Sequence, residues 1–232
     1  MTQVSFLRHG AFFGPEDAEN KTFCLIGAGA TGSWTALMAA KMGWHNFLVW
    51  DADIVESHNL PNQAYDIEHL GQKKVFALKQ VLERFNPNIS VKTYDHFFDA
   101  NNPDHLSELS DYVFIAVDSL DTRKDIYEAI KLHPFVNVIF ETRMGFTHAE
   151  LNIVDSSDVT KIDELISMLK TDEEVTEAAC NERIITSLVT IVSSALVHHL
   201  CYHASSHRTQ SEFNSFGKTI FNLSPHLTTY TS

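Results

Sequence analysis

Three glycines and two carboxylates carry the chemistry most legible in this chain. The run Thr22-Phe23-Cys24-Leu25-Ile26 leads into Gly27-x-Gly29-x-x-Gly32, and an Ala- and Leu-rich segment follows. A strand, a glycine loop and a helix in that order let backbone N–H groups approach a phosphate at the positive end of the helix dipole. Then, 19 residues past Gly32, Phe47-Leu48-Val49-Trp50 ends in Asp51, where a carboxylate can hold ribose hydroxyls. Further on, the apolar run Tyr112-Val113-Phe114-Ile115-Ala116-Val117 ends in Asp118, at the carboxyl end of a strand, where open α/β sheets place their ligands. These residues point to a bound nucleotide. They leave open whether it is a dinucleotide used for hydride transfer or ATP used for something else.

The elements that must hold these residues read as an α/β chain. Strand 22–26, helix 31–43 and strand 46–50 form a first βαβ unit. A loop over 51–65 precedes a helix over 71–86, with Val75, Leu78, Val81, Leu82 and Phe85 on one face and Asn86-Pro87-Asn88 as its stop. A short strand over 89–94 and a helical piece near 103–109 lead to the continuous apolar strand at 112–117, of the kind buried in parallel sheets. Helix 121–132 and strand 136–141 add a further step. An antiparallel strand is expected over 145–154, an amphipathic helix over 158–170, an acidic loop over 172–182 and a helix over 183–203. Ser211 to Asn222 reads as a terminal hairpin.

Composition bounds the function. The chain has 232 residues, 44% of them hydrophobic and 20% charged, an ordinary globular balance. A net charge of −13 argues against nucleic acid, because phosphate neutralisation needs clustered Lys and Arg. Three cysteines are too few and too scattered for a disulfide framework, and the first residues lack the basic start and apolar run of a signal peptide, so a cytoplasmic location is expected. The longest apolar stretch, Ile184 to Leu200, is interrupted by Thr, Ser and a His pair and reads as a core helix rather than a membrane span.

The order of motifs resembles the ThiF/MoeB/HesA family, the ubiquitin-activating-enzyme-like adenylyltransferases. After the glycine loop come Asp51-x-Asp53-x-Val55-x-x-His58-Asn59-Leu60-x-Asn62-Gln63, then Gly71-Gln72-Lys73-Lys74-Val75, then Val117-Asp118 with Arg123, and later Arg143-Met144-Gly145. The resemblance covers nearly the whole chain. It implies a single adenylation domain over 1–232: a lead-in over 1–21, a nucleotide-binding core over 22–154, a crossover region over 155–182, and a closing helix and hairpin over 183–232. The implied fold is Rossmann-like and doubly wound, with a mainly parallel sheet and antiparallel strands toward the C-terminus.

The resemblance also implies ATP and Mg²⁺. It puts Gly27, Gly29, Gly32, Asp51 and Asp53 on the nucleotide, Asn59 and Gln63 near the phosphates, Lys74 against them and Asp118 on the metal. The expected substrate is the C-terminal glycine of a ubiquitin-like or sulfur-carrier protein, and a homodimer is expected. Cys180 falls roughly where thioester-forming members carry their cysteine. Its neighbours Glu173, Glu174, Glu177 and Glu182 would raise a thiol pKa and Arg183 alone would lower it, so a small buried residue is the competing reading. Two positions depart from the pattern: Asn62 stands where the family has Arg, and His58 where it has Ser. Arg8, in the lead-in, or Arg143 could supply the missing cation. The paired C-x-x-C knuckles that hold structural zinc in many members are absent from this sequence, and His198, His199, Cys201, His203 and His207 lack a carboxylate or second thiol at ligand spacing. Two further readings stay open, a non-catalytic binding protein and a nicotinamide-dependent oxidoreductase.

Overall fold

The computed structural model describes residues 4–169, 186–205, 217–224 and 226–231. The first unit is β1 (Phe23–Ile26), α1 (Ala30–Met42) and β2 (Asn46–Trp50). All four residues of β1 are buried, which is why the sequence there is a continuous apolar run and not an alternating one. Gly43 closes α1 at φ 119°, a conformation that a side chain resists, and its N–H reaches back to the carbonyls of Ala39 and Ala40.

The chain continues through α2 (Lys74–Phe85), β3 (Ser90–Tyr94), α3 (Pro103–Ser107), β4 (Asp111–Ile115), α4 (Leu120–Ile130) and β5 (Val136–Met144). It ends with β6 (His148–Asp155), α5 (Val159–Ser167), α6 (Thr186–Ala204), β7 (Gly217–Leu223) and β8 (Leu227–Thr231). The eight strands form one sheet in the order β3-β2-β1-β4-β5-β6-β7-β8. Neighbours from β3 to β5 pair in parallel, and β5 to β8 pair antiparallel.

Helices cover both faces of the sheet. On one, Ala36, Ala39 and Ala40 of α1 let the apolar stripe of α6 (Leu188, Val192, Leu196, Leu200) pack close, over Leu25, Val49 and Phe140. On the other, Ile126, Tyr127 and Ile130 of α4 and Ile162 and Leu165 of α5 pack on Ile26, Val113 and Ile139. The apolar stretch expected as a core helix is α6, and among the described residues no helix is long and apolar enough to cross a membrane.

Two expected elements shift. The helix expected from residue 71 starts at Lys74, because Gly71 turns at φ 78° and residues 71–73 are pinned to the loop before them. There Gly71 N–H bonds Val55 O (2.9 Å), Val55 N–H bonds Gln72 O (2.8 Å), and Ile54 bridges Lys73. The terminal hairpin lies further along than the 211–222 span: residues 217–223 form one strand, and β8 pairs back on it with Leu227 opposite Leu223. Register explains the shift, since Gly217 is already paired with Ile153 of β6 and so cannot be a turn residue.

Candidate active site

The strand order reverses between β1 and β4, and open α/β sheets place their ligands outside the carboxyl ends of the strands at such a point. The glycine loop is built for close approach on one side only. A Cβ on Gly27, which sits at φ 108°, would lie 2.5 Å from the carbonyl oxygen of Ala116, and a Cβ on Gly32 would lie 2.2 Å from that of Gly27. A Cβ on Gly29 would meet nothing within 4 Å. Gly27 and Gly32 therefore fold the loop onto the sheet and the helix, while Gly29 leaves open space in front of the backbone. Gly29 is also the N-cap of α1 and offers no side-chain cap, so the first N–H groups of a 13-residue helix point out of the loop without one.

Asp51 fixes this loop from the neighbouring strand. One carboxylate oxygen accepts Ala28 N–H (2.7 Å) and the other accepts Asp53 N–H (2.8 Å). Burial raises its pKa above the ordinary carboxylate value, against the opposing pull of Lys74 and the two amides. Tyr65 adds a second tie, its hydroxyl donating to Ala28 O at 2.6 Å.

The pinned turn at 71–73 brings Lys74 to the first residue of α2, next to the end of β2. Its backbone N–H bonds Asp53 O (2.9 Å), and its ammonium lies 2.7 Å from the Asp53 carboxylate. The Lys74 side chain is buried while that of Asp53 is 55% exposed, so the cation is held in place by an acid that still faces solvent. Its neighbour Lys73 donates instead to Ala52 O, which separates two lysines that spacing alone could not.

Gln63 and Asn59 are both buried, on the loop that packs against the first turn of α1, where Ala64 N–H reaches Ser33 Oγ (3.0 Å). The two differ in duty. Asn59 Oδ1 accepts Glu56 N–H (2.9 Å) and so caps its own turn. Gln63 Oε1 is buried with no partner, as is Asn62 Oδ1, and an orphaned buried amide oxygen invites a ligand's donor or a water. Asn62 is fixed through its backbone, its carbonyl accepting Trp34 Nε1–H at 3.1 Å.

Asp118 is exposed beyond the carboxyl end of β4, two residues after the last bond from this segment to β1, Ala116 N–H to Ile26 O (2.8 Å). Its Oδ1 accepts Ser119 N–H at 2.9 Å. The cap of α4 is Ser119, whose side chain accepts Thr122 N–H at 3.1 Å, so Asp118 is not used for that purpose.

The remaining candidates do not converge here within one chain. The lead-in around Arg8 packs by the opposite ends of the strands: Phe6, Leu7 and Gly10 line one hollow with Gly43, His45 and Asn88, the residues just before β2 and β3. Arg8 itself is exposed. Arg143 is engaged, with Nε on both oxygens of Glu141 (3.1 and 3.0 Å) and Nη2 on Leu165 O (3.4 Å). Arg123 pairs with the same Glu141 on the neighbouring strand and not with an acid of its own helix. Cys180 and His207 lie outside the described residues. Cys24 and Cys201 are core residues whose thiols burial pushes up to about 12. His198 stacks on Phe12 and His203 meets the Phe140 ring edge-on, so these imidazoles pack against aromatic rings.

Sequence reasoning missed Glu141, Asn152 and Tyr65. Glu141 and Asn152 stand opposite each other on β5 and β6, a pairing that only the register shows. Tyr65 ends the loop over 51–65, where only the folded loop shows its contact with Ala28.

Comparison with known proteins agrees with this fold. The family model described as "ThiF family" matches residues 8–229. An "Adenylyltransferase and sulfurtransferase UBA4" from Vanderwaltozyma polyspora is 32% identical over 106 residues, which is 45% of this chain and 24% of that protein. A "Ubiquitin-like modifier-activating enzyme 5" from Bombyx mori is 29% identical over 93 residues, 40% of this chain and 24% of its own length. The matches thus span about a quarter of these curated relatives. Among solved structures, SeMet PaaA superposes with a TM-score of 0.75 at 18% identity, over 98% of this chain and 80% of that one. E. coli MccB with ATP gives 0.70 at 14% identity, over 94% and 65%.

Proposed function

The chain belongs to the ThiF family, and we propose that it is an ATP·Mg²⁺-dependent adenylyltransferase acting on a carboxylate, that of the C-terminal glycine of a ubiquitin-like or sulfur-carrier protein. The observation that carries this reading is the glycine loop: Gly29 faces open space at an uncapped helix N-terminus, where nucleotide phosphates can reach the backbone. The relatives favour ATP over a dinucleotide. The UBA4 relative is called an adenylyltransferase, and MccB was solved with ATP.

In this reading Asp51 orients the ribose side of the site and the first turn of α1 binds phosphate. A carboxylate oxygen of the substrate attacks the α-phosphorus, the bond from that phosphorus to the bridging oxygen breaks, and pyrophosphate leaves with the electron pair. Lys74, already held by Asp53, stabilises charge as it builds on the α-phosphate oxygens. The residues fit a magnesium ion: Asp118 is one exposed carboxylate just past the carboxyl end of β4, and Mg²⁺ is commonly held by one or two carboxylates plus substrate phosphates. When bound, the ion neutralises phosphate charge. A thiolate at Cys180 would then attack the acyl carbon, displacing AMP and forming a thioester.

The cation lost at Asn62 is replaced in this proposal by Arg8 of a second copy in a homodimer. Within one chain Arg8 belongs to the far end of the sheet, and Arg143 is already engaged by Glu141. A non-catalytic partner-binding protein is the second reading, favoured by Asn62 itself.

Calorimetric titration with ATP·Mg²⁺ and separately with NAD, on wild type and Asp118→Ala, tests the nucleotide. ATP·Mg²⁺ binding that weakens in the variant, with NAD silent, supports the proposal; NAD binding with ATP at background overturns it. Pyrophosphate exchange with a carrier-protein C-terminal peptide then separates the enzyme from the binding protein.

A further inference from the structure

Glu141 stands opposite Ile115 at the last paired position of β4 and β5, fully buried. Its carboxylate gathers three side chains from three elements: Arg123 Nη1 from α4, Arg143 Nε from further along β5, and Asn152 Nδ2 (2.6 Å) from β6. Beyond this point β4 has left the ladder. The carbonyl of Val117, the residue before Asp118, is held by Arg123, whose Nε donates to it at 2.7 Å. The same guanidinium reaches Thr142 O on β5 at 2.6 Å. Arg123 is thus a clamp between the turn that carries Asp118 and the strand beside it. A guanidinium this deeply buried keeps such a place only when an anion meets it, and Glu141 is the anion it meets.

We propose that Glu141 is a positioning residue for Asp118: by fixing the fork of Arg123 it sets the Val117–Asp118 turn against the glycine loop, and so the place where a divalent cation and the nucleotide's phosphates meet. The proposal rests on the reading of Asp118 as the metal-bearing carboxylate. Glu141 touches neither nucleotide nor metal and acts only through Arg123. Groups that orient a ligand without touching the ion typically change metal affinity by about 10–100-fold when replaced.

The test uses the full chain as wild type, Glu141→Gln, Arg123→Lys and Asp118→Asn. Arg123→Lys keeps a charge and serves if Glu141→Gln fails to fold, since an ammonium cannot hold Val117, Glu141 and Thr142 in one planar fork. Two quantities are read: amide hydrogen exchange over residues 117–120, and the Mg²⁺ dependence of ATP binding by calorimetry. In Glu141→Gln and Arg123→Lys, exchange at 117–120 accelerates while that of β1 is unchanged, and half-saturation by Mg²⁺ rises by about tenfold or more. High Mg²⁺ restores ATP affinity in both, but not in Asp118→Asn. Unchanged exchange at 117–120 and an unchanged Mg²⁺ response in a folded Arg123→Lys protein would overturn the positioning role. A wild type whose ATP binding ignores both Mg²⁺ and Asp118→Asn would instead overturn the reading of Asp118, with the exchange data still reporting whether Glu141 holds the turn.

Discussion

Lys74 Nζ lies 2.7 Å from the carboxylate of Asp53, although the two are 21 residues apart, one opening α2 and the other in the loop after β2. The contact exists because the turn at 71–73 is bridged to residues 54–55, which starts α2 directly beside the end of β2. The ammonium is therefore in place before any nucleotide arrives.

Replacing it tests its purpose. Lys74→Met is expected to slow adenylation by about 10²–10³-fold, the usual effect of removing one preorganised transition-state donor. The Asp53 carboxylate left behind is 55% exposed and still solvated, so the melting temperature should move little. Pyrophosphate exchange and a thermal melt on one preparation check both. A large loss of stability with turnover intact would make Lys74 a structural residue.

The three glycines separate in the same way. Gly32→Ala places a methyl 2.2 Å from the Gly27 carbonyl and should cost about 1–3 kcal/mol or prevent folding. Gly29→Ala meets no atom within 4 Å and should fold normally, yet weaken ATP binding, because its methyl occupies the space the phosphates need. Denaturant melts paired with calorimetry distinguish the two. Equal ATP affinity in Gly29→Ala would mean that nothing approaches the loop there.

Arg8 should act across a dimer. Arg8→Ala and Asp118→Ala are each expected to be inactive alone, and their mixture to regain about a quarter of wild-type turnover after exchange of subunits, if both variants assemble equally and one site per heterodimer is intact. Size-exclusion chromatography with light scattering must show dimers. A strictly monomeric protein that still adenylates would exclude this role.

Stability should fall on mild acidification. Burial, then neighbouring His199, pushes the pKa of His203 down to about 4, against a smaller opposing pull from Asp155. A depressed folded-state pKa means that the unfolded chain binds the proton first, so stability is fully present above about 6.5 and is lost as pH falls toward 4. His203→Phe should remove about 2–3 kcal/mol of that slope, measured by urea denaturation across the window. An unchanged slope would place the acid sensitivity elsewhere.

Much of the frame was legible in order. The spans of β1, α1, β2 and β3 fall within a residue or so of where periodicity puts them, because a buried parallel strand and a helix between glycines write their identity locally. The start of α2 was not legible, since three residues with helical character are captured by a bridge to the preceding loop. The hairpin is displaced for a similar reason: residues 217–222 of the expected hairpin span pair along β6 as one strand. At Asp118 only the structure shows that the cap of the following helix is Ser119, so that this carboxylate has no capping duty.

What the sequence determined by itself was the glycine loop between strand and helix, the alternation of strand and helix, and the motif order that marks the family. These depend on residues close together in the chain, where steric permission and hydrophobic period act directly. What only the tertiary structure decided was which charges meet. Lys74 and not Lys73 reaches Asp53, and Arg123 and Arg143 converge on Glu141 rather than facing solvent. Arg143 and Glu141 are two apart on β5 and meet because alternate strand residues share a face. Arg123, by contrast, reaches Glu141 across helix packing and Lys74 reaches Asp53 through the bridge between residues 54 and 73, which no local pattern encodes.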